Sequence, residues 1–118
     1  MHSAILNVTF DCRDPRAVAV FWSAVTGFPV EEVASPGNPY WVVGLENALP
    51  RLVFVGVPES KVVKNRVHLD VLPVDRDQNA EVKRLLNLGA TMVDDRRELE
   101  PGGWVVLADP EGNEFCVE

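Results

Sequence analysis

The sequence predicts an α+β fold made of two tandem strand–helix–strand–strand–strand (βαβββ) modules. Apolar residues alternate with polar ones in several short segments, which predicts strands, and two longer segments carry one apolar helical face each. Separators such as "SPGNP" and "ENALP" are rich in Pro, Gly and Asn, which interrupt regular structure. The same order of elements occurs twice. We therefore predict one domain of 118 residues, with module 1 at about 1–60 and module 2 at about 61–118.

The first module begins with a strand over "ILNVTFDC", in which apolar and polar residues alternate. Asp14 is a favourable N-cap and Pro15 suits the first helical position, so a helix is predicted near 15–26. Gly27 is predicted to end this helix in the left-handed conformation. Three strands are then predicted near 29–34, 40–45 and 51–57.

The second module repeats this order from residue 66. "RVHLDVLPVD" is predicted to be a strand, and "DQNAEVKRLLNLGA" a helix near 77–88 that stops at Gly89. The repeat aligns Asn7 with His68 and Thr9 with Asp70, both 61 positions apart, and it aligns the capping Asp14 with Asp75. The remaining strands are predicted near 91–95, 103–108 and 114–117.

Each predicted helix covers one side of a small sheet and leaves the other side free. Two such sheets placed side by side would form a cupped, incomplete barrel, with the helices outside and a cavity between the sheets. Curved sheets of about eight strands are able to hold one small ligand, and a concave site of this kind is the default binding site. The fold thus predicts a small-molecule partner.

Composition and charge exclude several other classes of partner. The net charge of −7 would repel nucleic acid and anionic membranes. No apolar run approaches the ~18 residues of a membrane span, and the N-terminus lacks the pattern of a signal peptide. Cys12 and Cys116 make no disulfide framework. We therefore expect a cytoplasmic protein with free thiols.

Several segments resemble the vicinal oxygen chelate superfamily, and more narrowly its glyoxalase-like, bleomycin-resistance-like small domains. They are "DCRDPRAVAVFWSAVTGFPV", "KNRVHLDV", "LLNLGATMVDD" and "WVVLADPEGNEFCV", of which the closing "DPEGNEFCV" is the most specific. The resemblance implies paired βαβββ modules and a homodimer. It leaves the reaction open, because this fold hosts metal-dependent isomerases and dioxygenases as well as metal-free drug-binding proteins.

The resemblance also implies where a divalent metal such as Zn, Ni, Mn or Fe(II) would be bound. The four ligand positions are occupied here by Asn7, by Phe54 or Val55, by His68 and by Cys116. Only His68 is a ligand of the usual type, whereas metals in proteins normally need three or four ligands. We therefore predict no confident cofactor and no complete metal site, with His68 as the one candidate ligand.

His68 and Cys116 each leave alternatives open. A rearranged set of His68, Asp70 and Glu114 would be able to hold a metal, because Asp70 and Glu114 share strand faces with His68 and Cys116. His68 is otherwise a pocket-wall residue or a substrate-binding group. Cys116 is a small apolar filler, a metal thiolate, or a nucleophile that needs a nearby base or positive charge.

Further candidates line the predicted cavity. Trp41 and Trp104 occupy similar places in the two modules and are expected either to sandwich a flat ligand or to pack in the wall. "ESKVVKNR" carries Lys61, Lys64 and Arg66 in an otherwise acidic chain. Arg66 is the better ligand-binding candidate because it shares the predicted strand face of His68.

Three functions follow as hypotheses. The first is a glyoxalase/bleomycin-resistance-like protein that binds a small molecule in the cavity between the sheets without a complete metal site. Its predicted ligand-binding residues are Asn7, Trp41, Arg66, His68, Asp70, Trp104, Glu114 and Cys116. The second is a divalent-metal-dependent lyase/isomerase or dioxygenase. The third is a structural or regulatory dimer without a ligand, whose modules pair within one chain or swap between two.

Overall fold

A computed structural model describes residues 1–99 and 102–118 of the chain. The chain divides into two compact units, Met1–Ser60 and Lys61–Glu118. Each unit is a four-stranded mixed sheet with one helix, so the predicted α+β class with two βαβββ modules is confirmed. Among the described residues, neither helix has the length and apolar character that crossing a membrane requires.

The first unit forms a sheet with the strand order β1-β4-β3-β2. Strands β1 and β4 run parallel, and the other neighbours are antiparallel. The elements are β1 (Asn7–Cys12), α1 (Pro15–Thr26), β2 (Val30–Val33), β3 (Tyr40–Leu45) and β4 (Ala48–Gly56).

An aromatic cluster joins α1 to this sheet. The ring of Phe10 in β1 stacks on Phe54 in β4 at 5.0 Å and lies 6.0 Å from Trp22 of the helix. The helix begins as predicted, because the Asp14 carboxylate accepts a hydrogen bond from the Ala17 backbone N–H. It ends at Gly27, whose φ of 75° is the left-handed conformation that favours glycine.

The second unit repeats this topology in the order β5-β8-β7-β6. Its core consists of Val82 and Leu85 from the helix together with Leu107 and Phe115 from the sheet, all of which are buried. The elements are β5 (Asp70–Val71), α2 (Gln78–Asn87), β6 (Thr91–Asp95), β7 (Val105–Ala108) and β8 (Glu114–Val117).

The cap of α2 differs from the prediction. Asp77, not Asp75, is the N-cap, and its carboxylate accepts a hydrogen bond from the Ala80 backbone N–H at 2.8 Å. The two capping aspartates are therefore 63 positions apart, because the connection between the first strand and the helix is longer in the second unit. Asp75 instead forms a bidentate ion pair with Arg76.

The predicted strand "RVHLDVLPVD" is also much shorter in the structure, where only Asp70–Val71 pairs with β8. The hydrogen bonds of the Asn65 side chain explain why the strand does not begin at Arg66. It accepts a hydrogen bond from the Glu114 backbone N–H at 2.8 Å and donates one to the Glu114 carbonyl at 3.1 Å. These are the groups of β8 that a longer β5 would pair with. Beyond Val71, Pro73 has no N–H to donate to a sheet.

Candidate functional site

Each sheet has one face under its helix and one open face. In the second unit the open face carries alternate residues of β5, β7 and β8, since side chains alternate along a strand. It forms a concavity of about 210 Å³. The lining residues are Lys64, His68, Trp104, Val106, Glu114, Phe115 and Cys116. Four of the predicted ligand-binding residues therefore meet on one surface.

A cluster of three metal-type side chains lies on this face. One ligand atom from each of His68, Asp70 and Cys116 lies within 4.8 Å of the others, the only such group in the part of the chain that the structure describes. Asp70 and Cys116 are register partners on parallel strands. The Nε2 atom of His68 is 3.6 Å from a carboxylate oxygen of Asp70. His68 and Asp70 are exposed, whereas Cys116 is buried.

The surroundings of Cys116 raise the pKa of its thiol. Burial raises the pKa of Cys116 above its ordinary value of 9.0, and the negative charges of Asp70 and Glu118 raise it further. A hydrogen bond to Asp70 acts in the same direction, and only the charge of Lys64 opposes it. A nucleophilic cysteine needs a lowered pKa. The geometry therefore favours Cys116 as a neutral wall residue over the nucleophile interpretation.

Glu114 lies beside this cluster and is held by its backbone. Its carboxylate is 3.9 Å from the Lys64 ammonium, and its main chain is bound by Asn65. In the structure, Cys116 completes the group with His68 and Asp70, in place of Glu114. The rearranged set with Glu114 is therefore not assembled in this arrangement of the side chains.

The open face of the first unit forms a larger concavity of about 410 Å³. Asn7 and Arg51, direct neighbours on β1 and β4, both line it. The Asn7 Oδ1 and Arg51 Nε atoms are buried and have no hydrogen-bond partner within the described residues. The other lining residues are Thr9, Glu31, Val33, Tyr40, Val42, Glu46, Val53 and Val55.

The register of the two modules corrects one predicted ligand position. Thr9 pairs with Val53 in the first unit, just as Asp70 pairs with Cys116 in the second. Val53 is thus the counterpart of Cys116, where Phe54 or Val55 was predicted. Phe54 is fully buried on the helix side of the sheet. The first unit therefore has an amide and a valine at the positions where the family resemblance implies metal ligands.

The chain matches the profile of one protein family over almost its full length. The sequence profile of the glyoxalase-like domain matches residues 7–118, which is nearly the whole chain. The chain belongs to the glyoxalase-like domain family. The match includes both open faces and the closing "DPEGNEFCV" segment, so the resemblance predicted from the sequence is confirmed.

Solved structures support the same fold for this glyoxalase-like domain. A glyoxalase/bleomycin resistance protein/dioxygenase family enzyme from Burkholderia phytofirmans is 22% identical, with a TM-score of 0.72 and coverage of 98% of this chain and 97% of that chain. The fosfomycin resistance protein FosX from Mesorhizobium loti is 17% identical, with a TM-score of 0.71 and coverage of 100% and 92%.

A mutant of FosX from Listeria monocytogenes, complexed with manganese(II) and 1S,2S-dihydroxypropylphosphonic acid, is 18% identical. Its TM-score is 0.72, and the match covers 100% of this chain and 90% of that chain. None of the curated protein sequences compared with this chain matches it. At these identities the structural likeness shows the fold and not the ligand.

Two predicted site residues of the glyoxalase-like domain lie elsewhere. Trp41 pairs with Phe54 across β3 and β4, which places it on the helix side and away from the concavity that Asn7 lines. Arg66 lies in the irregular segment before β5 and lines a separate surface depression with Val63, Lys64 and Asn65. Of the two tryptophans, Trp104, which is 38% exposed, shares the surface of His68.

Sequence reasoning missed Asn65 and Arg51. Arg51 stands two residues before Val53 in the otherwise apolar segment "RLVFV", so two-residue alternation would have placed it on the open face. A lone charge on such a strand is a signal for a binding role. For Asn65 there was no such signal, because its partner Glu114 is 49 residues away.

Proposed function

We propose that this glyoxalase-like domain binds a small molecule on the open faces of its sheets, without a metal held by three protein ligands. The observation that best supports it is the set of side chains at the four positions that the family resemblance assigns to metal ligands. These positions are occupied by Asn7, Val53, His68 and Cys116, of which only His68 is a ligand of the usual type. Asp70 and Cys116 lie near His68, but the Cys116 thiol is buried.

The first unit supports the same proposal. Its equivalent positions are Asn7 and Val53, which add at most an amide oxygen to a metal site. Amide oxygen binds transition metals weakly beside imidazole or carboxylate. A ligand set of this size would be labile, because metal affinity depends on the number and protonation state of the donors.

The polar groups of the second unit are suited to hydrogen bonding. On this proposal His68 and Asp70 contact the polar part of the ligand, Glu114 accepts hydrogen bonds, and Trp104 provides an apolar wall. Each of these side chains is at least partly exposed. An apolar wall with a few polar groups is the usual composition of a small-molecule site.

The test combines metal analysis with ligand binding. Protein purified without chelator is analysed for metals and screened by thermal shift against a metabolite library that includes acids, amines and neutral compounds. We expect less than stoichiometric metal and at least one stabilising ligand, whose effect is weakened by His68→Ala. His2→Ala is the matched control, since His2 is the only other histidine and is exposed. One zinc, nickel, iron or manganese per chain, retained in the control and lost in His68→Ala, would refute the proposal.

A divalent-metal-dependent lyase/isomerase or dioxygenase is the second candidate. It is favoured by one observation, the approach of His68, Asp70 and Cys116 donor atoms to within 4.8 Å. A histidine, carboxylate and thiolate set suits a borderline metal such as zinc, which would act as a Lewis acid on substrate oxygens. Binding would first have to remove the Cys116 proton. The metal analysis above separates the two candidates.

We also propose that the protein is a homodimer in solution. The unpaired edges of the two sheets and the apolar side chains of the irregular segment need a cover, because exposed edges and apolar patches favour association. Val63, Val67, Leu72 and Val74 are each more than two-thirds exposed. Light scattering should give twice the chain mass of 13.1 kDa. A single 13.1 kDa species at micromolar concentrations would contradict this proposal.

A further inference from the structure

The guanidinium of Arg51 has an unusual environment on the open face of the first unit. Its Nε is buried without a hydrogen-bond partner, and in the described part of the chain it forms no ion pair with Glu31 or Glu46, which line the same concavity. The neighbouring Asn7 Oδ1 is buried and unpaired as well. Buried polar atoms in native proteins are nearly always paired, so a donor and an acceptor left over on one surface call for a partner.

The backbone of β3 is shaped to hold this arginine. Gly44 has a φ of 137°, and a Cβ placed on it would lie 2.8 Å from Arg51 Cγ. The register of β3 against β4 shifts at this point, between Val43 and Leu45. The aliphatic stem of Arg51 thus rests where only glycine leaves room. This placement distinguishes Arg51 from an arginine that extends into solvent.

The chemistry of the concavity limits what the partner is. The planar fork of a guanidinium matches an oxyanion such as a carboxylate. Asn7 Oδ1 is an acceptor and therefore needs a donor on the same ligand. Glu31 and Glu46 add negative charge, which disfavours a doubly charged anion and favours a ligand with one negative charge and a hydroxyl or ammonium group.

We propose that Arg51 and Asn7 form a subsite for a small monocarboxylate that carries a hydroxyl or ammonium group beside its carboxylate. Arg51 binds the carboxylate, and Asn7 Oδ1 accepts a hydrogen bond from the adjacent donor. The volume of about 410 Å³ leaves room for a larger group along Val42, Val53 and Val55. This inference rests on the proposed function, since it assigns the ligand class of a small-molecule site.

The test uses the full chain with L-lactate and L-alanine as probes. Lactamide lacks the carboxylate, acetate lacks the adjacent donor, and methylphosphonate replaces the carboxylate with a phosphonate. Binding is followed by heteronuclear NMR at the Asn7 side-chain amide and the Arg51 Nε–H. We expect L-lactate or L-alanine to shift both signals and to bind more tightly than lactamide, acetate and methylphosphonate.

Substitutions then assign the contact. Arg51→Gln should weaken probe binding by about 10- to 100-fold, the range for loss of charge-assisted hydrogen bonds. Arg51→Lys keeps the charge and the aliphatic stem, and it should still weaken binding because the fork is lost. Arg16→Gln, an equal change of charge on the exposed surface of α1, should leave binding unchanged.

Three results would overturn the inference. They are tightest binding of methylphosphonate, equal effects of Arg16→Gln and Arg51→Gln, and no shift at either signal with L-lactate and L-alanine. The metabolite screen separates this failure from that of the proposed function. A stabilising ligand whose effect is weakened by His68→Ala, together with no shift at Asn7 and Arg51 by L-lactate and L-alanine, would uphold small-molecule binding and refute the carboxylate subsite. The absence of any ligand would refute both.

Discussion

Replacement of Asn65 by alanine is expected to destabilise the second unit near the His68 surface. The amide of Asn65 donates to the carbonyls of Val67 and Glu114 at 2.8 and 3.1 Å and accepts from the Glu114 backbone N–H at 2.8 Å. It thereby replaces the strand pairing that the short β5 does not supply. Asn65→Ala removes all three hydrogen bonds and fills none of the space.

The size of the effect follows from the exposure of the partners. Val67 is 76% exposed, so water replaces the lost hydrogen bond to its carbonyl at little cost. The two bonds to the partly buried main chain of Glu114 are each expected to contribute about 1 kcal/mol. The free energy of unfolding should therefore fall by about 2 kcal/mol. For a domain of this size that is a decrease of about 8 °C in the melting temperature.

Urea unfolding followed by tryptophan fluorescence measures the free energy, and hydrogen exchange reports on the Glu114 amide. We expect the denaturation midpoint to fall with an unchanged slope and the Glu114 amide to lose protection. Asn87→Ala is the control, since Asn87 is an exposed asparagine at the end of α2 in the same unit. A loss below about 0.5 kcal/mol, the usual range of neutral surface substitutions, would refute the reasoning. So would unchanged protection at Glu114.

Three further predictions concern Asp109 in the turn between β7 and β8, the glycine Gly44 in β3, and the thiol of Cys116. Asp109 is 3% exposed and accepts hydrogen bonds from both the backbone and the side chain of Asn113. Asp109→Ala should therefore lower the free energy of unfolding, measured in urea, by about 3 kcal/mol, and Asp109→Asn should lower it less. Gly44→Ala should lower the free energy of unfolding by about 1–3 kcal/mol, because φ is positive at this position and the new Cβ would contact Arg51. An unchanged urea midpoint would contradict this prediction and show that the strand relaxes freely. Because the folded pKa of Cys116 is raised, the native state retains its proton longer than the unfolded state, and stability should decline as pH rises above 9.0 toward the folded value. Cys116→Val should flatten that decline, and an equal decline in both proteins would contradict the cause.

The local elements of this protein are determined by its sequence. Period-two alternation marks the strands, and β3 (Tyr40–Leu45), β6 (Thr91–Asp95) and β8 (Glu114–Val117) have the predicted bounds. The helix α1 (Pro15–Thr26) begins after Asp14 and ends at Gly27, because a capping carboxylate and a left-handed glycine act over a few residues. The duplication of this pattern was sufficient to predict the α+β class and the two modules.

The site depended on contacts between distant residues. Strand register determined that Val53 matches Cys116, because Val53 pairs with Thr9 as Cys116 pairs with Asp70. Phe54 is one residue away and faces the helix, and Val55 shares the open face but pairs with Asp11. Burial beside Asp70 raises the pKa of the Cys116 thiol, and residue type alone does not specify burial. The unpaired Arg51 and the pairing of Asn65 with Glu114 likewise exist only after distant strands meet. Local patterns act within a few residues, whereas these environments arise from segments up to 49 positions apart.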